Sequence, residues 1–389
     1  MVSAVQTEAS IHECPILSLG PELELVLAGC QATPCANCLA RVPKSDVNWD
    51  LILRLAERHR VLPALYSSLR DRADIPGSIH SAIRQRFQNN EVKGLRFSAE
   101  LVRIVTHFAD CGIDVLAHKG PALALALYGD PAMRQFGDLD LLVRSDDVVG
   151  AKLALQQLGF LSQLCLSTRQ EKAYLQSGYE YVFGTHAERS LVEVQWRILP
   201  RFYSISFDMQ ALFDRSVEIE LQGFRMRTPG KEDLMLVLCV HAAKHEWLQL
   251  GMLRDIAALA RFDLDWRWIR AEAQRLGIIR ILDVSLLLAC NLLGLKLPEL
   301  PASQDRSAVE LAAEIQSKLV SGADADAVSV RYFRVMARAR ERWQDRVCMA
   351  WRLAITPSVG EWQAIRIPDS LFPAYRAVRA MRLLGRFCS

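Results

Sequence analysis

The chain has 389 residues, 51% of them hydrophobic and 23% charged, with a formal net charge of +3. That composition excludes a disordered or fibrous chain, and so small a charge argues against broad nucleic-acid binding while leaving room for a local basic groove. At roughly 100–200 residues per domain the length predicts two or three domains, each with its own core.

Met1–Leu19 carries no basic stretch and no sustained apolar run, so a cytoplasmic protein is expected rather than an exported one. Val284–Leu295 falls short of the ~18–20 apolar residues of a spanning helix; it reads as a buried core helix, and no membrane partner is expected. Of ten cysteines, Cys111, Cys165, Cys239, Cys290, Cys348 and Cys388 are scattered, several inside apolar runs where thiols pack as small hydrophobes. Cys14, Cys30, Cys35 and Cys38 include a C-x-x-C half-site. No second half-site follows, which favours a cysteine-containing loop over a structural metal.

Residues 1–110 read as a helical region. Glu22–Ala28 is a short amphipathic piece, Trp49–His59 has Asp46 or Asn48 as its cap and ends before Pro63, and Ile79–Phe108 is long and periodic. No chemistry is evident in this lead-in. From 111 to 227 the period changes. Ile113–Ala117 is a short apolar run bounded by Gly112 and Lys119-Gly120-Pro121, and Pro121 suits the first turn of a helix over Ala122–Tyr128. Gly129-Asp130-Pro131 breaks the chain, and Leu139–Val143 reads as a buried strand. Ser145 and the two aspartates after it start a helix that Gly159 stops, and Tyr179–Phe183 and Leu191–Trp196 are β-patterned. Residues 228–389 return to helix. Leu234, Val237, Leu238, His241, His245 and Leu248 share one stripe, and further helices fall near Leu253–Arg261, Trp266–Leu276, Ile281–Leu293 and Ala308–Leu319. Trp247, Trp266 and Trp268 read as core, and basic Arg376–Arg386 as one amphipathic helix face. The fold class is α+β: a small sheet core between an N-terminal helical segment and a C-terminal helical domain.

The sharpest signal is Arg134-Gln-Phe-Gly-Asp138-Leu-Asp140-Leu-Leu-Val143. Side chains alternate along a strand, so Asp138 and Asp140 point the same way while Leu139 and Leu141 face the core. Two adjacent carboxylates repel unless a cation joins them, and hard divalent ions suit oxygen ligands and phosphoryl chemistry. A solvated acidic strand edge reads the same pair without an ion. Upstream, Lys119-Gly120-Pro121 sits at a strand-to-helix junction, where glycine and the helix N-terminus admit a phosphate. Downstream, Glu193 lies amid apolar neighbours on a strand, a costly place unless it is a third ligand or pairs with a base.

Val115–Val143, together with Val192-Glu-Val-Gln-Trp196 and His241-Ala-Ala-Lys-His245-Glu-Trp247, resembles the uncharacterised nucleotidyltransferases of the polymerase-β-like superfamily. The likeness runs on through Asp255 to Ile355-Thr-Pro-Ser and Arg376–Arg382. Members of that family are bacterial and often encoded beside natural-product gene clusters, including those for lasso peptides. The resemblance implies a mixed-sheet nucleotidyltransferase core. It makes Asp138 and Asp140 ligands of two Mg²⁺ ions, with Mn²⁺ as the alternative, and Glu193 the third carboxylate, holding one metal and deprotonating the attacking hydroxyl. Lys119 and Gly120 would contact the triphosphate of an NTP. Arg134 would neutralise phosphate or, equally, orient the aspartates through a salt bridge. The helix carrying His241, Lys244 and His245 would close over the nucleotide and meet its phosphates; helix packing reads the histidines equally well, and zinc less so, because no glutamate occupies the second position. Asp255 either faces the cleft or pairs with Arg254. Two positions depart from the wider superfamily: Lys119-Gly120 replaces glycine-serine, and Gln195 stands where a histidine often follows the third carboxylate.

The implied function is metal-dependent transfer of a nucleoside monophosphate from an NTP to a hydroxyl or similar acceptor on a small molecule, peptide or RNA, releasing pyrophosphate. Two alternatives stand beside it: a catalytically inactive fold that binds a peptide or tRNA, and a phosphotransferase on the same scaffold.

Overall fold

The computed structural model describes residues 20–31, 47–185, 191–297, 305–322, 330–365 and 367–388. Among the described residues the first helices are α1 (Pro21–Gly29), α2 (Trp49–Arg58) and α3 (Leu62–Leu69). Asn48 caps α2, its side chain accepting the Leu51 N–H at 3.0 Å. α4 (Gly77–Asp110) is 34 residues long, roughly 50 Å at 1.5 Å per residue. Its buried Phe97, Leu101, Ile104 and Phe108 recur at helical spacing, which lays the second half of the helix along the sheet.

The sheet has seven strands: β1 (Val115–Ala117), β2 (Asp138–Val143), β3 (Leu161–Ser162), β4 (Glu180–Gly184), β5 (Leu191–Gln195), β6 (Val217–Leu221) and β7 (Phe224–Thr228). Their spatial order is β3-β4-β5-β2-β1-β7-β6. β2 runs parallel to β5 and β1 parallel to β7, while the other pairs are antiparallel, so the sheet is mixed. α5 (Gly120–Tyr128) follows β1, α6 (Val148–Gln157) follows β2, and α7 (Thr168–Ser177), with a Ser167–Gln170 capping box, precedes β4. α8 (Met209–Asp214) leads into the β6–β7 hairpin. Gln222 and Gly223 at its tip both have positive φ, 54° and 82°, as a two-residue turn of the right twist requires.

Helices complete the chain: α9 (Lys231–Lys244), α10 (Leu250–Leu259), α11 (Trp266–Leu276), α12 (Ile279–Leu293), α13 (Arg306–Val320), α14 (Val330–Arg338), α15 (Trp343–Ile355), α16 (Val359–Ala364) and α17 (Tyr375–Cys388). The expected α+β class, a mixed sheet flanked by helices, is what the chain adopts. The apolar run after Val284 lies in α12, and no helix among the described residues is long and apolar enough to cross a membrane. Trp247 is fully buried, while Trp266 and Trp268 are half-buried, the latter under the Arg215 guanidinium.

Strand alternation gives the sheet two unlike faces. Leu139, Leu141 and Val143 of β2, with Val192 and Val194 of β5, pack against α4 and α6. Leu116 and Leu142 point the other way, into the apolar cluster formed with α9, α10 and α12. Asp138 and Asp140 share the Leu142 parity and therefore face the C-terminal helices. A one-residue slip of β2 would drive both carboxylates into the α4 side, so burial fixes the register. We propose domain boundaries near residues 110 and 228, where the secondary-structure type changes; the apolar cluster of the second face joins α1–α3 to the C-terminal helices across both.

Candidate active site

The parallel β2–β5 ladder sets Asp138 opposite Leu191, Asp140 opposite Glu193 and Leu142 opposite Gln195. Antiparallel β4 then sets Glu180 opposite Gln195. On one sheet face β2, β5 and β4 thus bring together four carboxylates, Asp138, Asp140, Glu193 and Glu180. Glu180 was not singled out from sequence. Its signal was present, since Tyr181 and Phe183 are the apolar parity of β4 and Glu180 is the other.

Positive and neutral donors divide this cluster. Lys119, the residue before α5, places its Nζ 2.6 Å from Asp140 Oδ1, and both side chains are largely buried. Gln195 Nε2 lies 2.9 Å from Glu193 Oε2, 3.2 Å from Asp140 Oδ1 and 3.3 Å from Glu180 Oε2. An amide has two hydrogens for these three acceptors, so they are shared. Its Oε1 accepts from His118 Nε2 at 3.0 Å, which places the His118 proton on Nε2. The glutamine at the histidine-bearing position therefore ties the carboxylates together, and a histidine arrives from the end of β1 instead.

Charge balance explains the protonation pattern. Burial, then Asp140 and Glu180, push Glu193 up to about 8. Burial and Asp140 likewise raise Asp138. Burial would raise Asp140 too, but Lys119, followed by His118, outweighs it and holds the group near 2. Desolvation opposes the Lys119 charge, yet Asp140 keeps its pKa above the usual value. One ammonium faces more carboxylate than it can neutralise.

Gly120 has φ +58°, and a Cβ there would stand 3.2 Å from the Asp138 carbonyl oxygen. Here glycine permits both the strand-to-helix turn and the close approach of α5 to β2.

The other predicted nucleotide-binding residues fall on the rim. Arg134 Nε donates to Asp255 Oδ2 at 2.8 Å, and the Tyr128 hydroxyl donates to Asp255 Oδ1 at 2.8 Å. Asp255 therefore pairs with Arg134, not with its neighbour Arg254, which lies 4.2 Å over the Tyr128 ring and bonds the Met133 carbonyl. The Arg134 salt bridge thus reaches Asp255, not the β2 aspartates. Lys244 Nζ donates to the Tyr179 hydroxyl at 2.7 Å. Burial lowers its pKa, and Glu180 opposes that. The His241 and His245 rings lie 4.8 Å apart at the end of α9, and His245 is already the residue past the helix. Burial, then Lys244, bring His245 down to about 4, and burial and Lys119 put His241 well below its ordinary value. Both are neutral at neutral pH. The lead-in helices also contribute charge, which was not expected: Arg60, at φ 56°, lowers the Asp138 pKa, and Lys93 on α4 senses Asp138 in turn.

Asp138, Asp140 and Glu193 fit a divalent cation in kind and number: hard oxygen donors on one face, two of them with pKa raised by burial and by neighbouring carboxylates. As they stand, Lys119 and Gln195 engage Asp140 and Glu193, and among the described residues no three His, Cys, Asp or Glu side chains are arranged to hold a metal ion. Cys30 is buried, its thiol pushed up to about 12 by desolvation; Cys14, Cys35 and Cys38 lie outside the described residues.

Comparison with known proteins identifies a family and a similar solved structure. The model of a family described as "Uncharacterised nucleotidyltransferase" matches residues 45–294. A solved structure, "Crystal structure of an antigenic nucleotidyltransferase-like protein from Paracoccidioides brasiliensis", is similar at 14% identity and a TM-score of 0.34, over 56% of this chain and 92% of that one. No curated protein matches.

Proposed function

Since the chain belongs to the uncharacterised nucleotidyltransferase family, we propose that it transfers a nucleoside monophosphate from an NTP to a hydroxyl-bearing acceptor and releases pyrophosphate. The observation that carries this reading is the β2–β5 register, which sets Glu193 across from Asp140 with Asp138 on the same face. Asp138, Asp140 and Glu193 would hold Mg²⁺ once their contacts with Lys119 and Gln195 are exchanged. When bound, that ion would supply Lewis acidity toward the phosphates. Lys119, freed from Asp140, and the α5 N-terminus at Gly120 would take phosphate oxygens, with Lys244 and Arg60 adding charge from the rim. Burial, then Asp140 and Glu180, keep Glu193 largely protonated at neutral pH as the site stands; cations joining the cluster would release that proton, and the carboxylate would then serve as general base for the acceptor hydroxyl. The acceptor oxygen bonds to the α-phosphorus as the bond to the β-phosphate bridge breaks.

The test is thermal stabilisation by each NTP with and without Mg²⁺, followed by product analysis. Pyrophosphate identifies nucleotidyl transfer, and a nucleoside diphosphate identifies phosphoryl transfer. One observation favours a second reading, a binding protein without catalysis: the Lys119 ammonium already sits on Asp140 at 2.6 Å. Mg²⁺-independent NTP binding with no product would support it.

A further inference from the structure

Beside the sheet edge, between the α7–β4 junction and the α15–α16 turn, lies a cavity of about 300 Å³. Tyr174, Tyr179, Phe202 and Leu353 supply its apolar wall and Arg352 its charge, while Arg379, also in the lining, is paired with buried Glu361 at 3.3 Å. The wall is fixed from behind. The Tyr174 hydroxyl donates to the Glu180 carbonyl at 2.8 Å and its ring meets Trp196 and Trp362 edge-on; Arg379 Nε donates to the Leu353 carbonyl at 3.1 Å. Arg352 donates to the Arg201 carbonyl rather than to a carboxylate among the described residues.

One residue belongs to both this cavity and the carboxylate face. Tyr179 forms wall with its ring, while its hydroxyl accepts Lys244 Nζ at 2.7 Å and hydrogen-bonds Glu180. Glu180 in turn shares the Gln195 amide with Glu193. Tyr179, Glu180 and the Gln195 amide thus link the cavity wall to the proposed general base.

We propose that this cavity is the acceptor site, and that the acceptor is a small molecule with an apolar, ring-sized body, an anionic group and a hydroxyl. This rests on the nucleotidyltransferase reading above. The volume suits a small ligand rather than a folded partner. The anion meets Arg352 at one side, and the hydroxyl is directed past Tyr179 toward Glu193. In the reaction the acceptor oxygen bonds to the α-phosphorus, the α–β bridging bond breaks, pyrophosphate leaves with that electron pair, and the hydroxyl proton goes to the Glu193 carboxylate.

The probe is anilinonaphthalene sulfonate, an apolar aromatic anion whose emission rises in such a site. We expect saturable binding of one dye per chain, weakened about tenfold or more by cavity-filling Leu353→Trp and by charge-removing Arg352→Gln. Both variants keep the wild-type melting temperature and the wild-type stabilisation by Mg²⁺-NTP. Dye affinity unchanged in both variants overturns the proposal, because the signal then comes from exposed apolar surface such as Trp343, Val347 and Trp351 on α15. A wild-type protein that binds dye in the cavity but no NTP overturns the nucleotidyltransferase reading, and the acceptor role with it. Transfer of α-labelled nucleotide to RNA or protein, undiminished in Leu353→Trp, overturns the small-molecule assignment alone.

Discussion

Glu193→Gln isolates the electrostatic cost of the carboxylate face without ligand or activity. In the folded protein Glu193 titrates near 8, against an ordinary value of 4.5. A raised folded pKa means that the unfolded chain releases its proton first, so the group's contribution is fully present below pH 4.5 and is lost as pH rises through about 8. At roughly 1.4 kcal/mol per pKa step the full difference is an upper bound near 5 kcal/mol, and partial solvent contact of Glu193 reduces it to about 2 kcal/mol. Glutamine keeps an oxygen for Gln195 Nε2 and carries no charge. Denaturant midpoints of the variant and wild type should nearly coincide at pH 4.5. They should diverge toward pH 9, with the variant more stable and the gap opening between those limits. A gap independent of pH, or a variant less stable at pH 9, refutes the reasoning.

Other perturbations separate architecture from chemistry. Arg134→Met leaves the Asp255 carboxylate, 5% exposed, with only Tyr128, and should cost about 3–5 kcal/mol in chemical denaturation; unchanged stability with lost NTP binding would return Arg134 to the phosphate role. Gly120→Ala forces an alanine to φ +58° and a methyl to within 3.2 Å of the Asp138 carbonyl, which should cost about 1–3 kcal/mol; a midpoint equal to wild type would show that α5 can move away. Gln195→Leu frees Asp140 and Glu193 to repel and strands His118 Nε2. Its loss, about 1–3 kcal/mol, should be larger at pH 9 than at pH 5; a pH-independent loss would mean that Gln195 acts by packing alone.

Local pattern made part of this legible. The parity of Asp138-Leu-Asp140-Leu, the Gly-Pro start of α5 and the apolar face of α4 each follow from a single period, and each element is present. Strands β6 and β7 were missed although their alternation was available: Glu218 and Glu220 stand opposite Arg227 and Arg225 across a Gln-Gly turn. That alternation is polar on the solvent side and too short in apolar residues to stand out. The Glu180 contact with Gln195, Lys244 on Tyr179, and Arg134 on Asp255 join residues 15, 65 and 121 positions apart. Such pairs depend on strand order and helix docking, which no window of sequence contains. The Asp140–Lys119 pair lay nearer to hand, because both residues stand out in the sequence, although not as partners of each other.

In the proposed reaction the β2 aspartates work with Glu193 on a nucleotide. The most direct measurement is release of labelled pyrophosphate from γ-labelled NTPs with Mg²⁺ by wild type, Asp138→Ala and Asp140→Asn, each checked for fold by circular dichroism. Wild type should release pyrophosphate, and the folded variants should lose at least about a hundredfold in rate. Undiminished release by either folded variant would contradict the account.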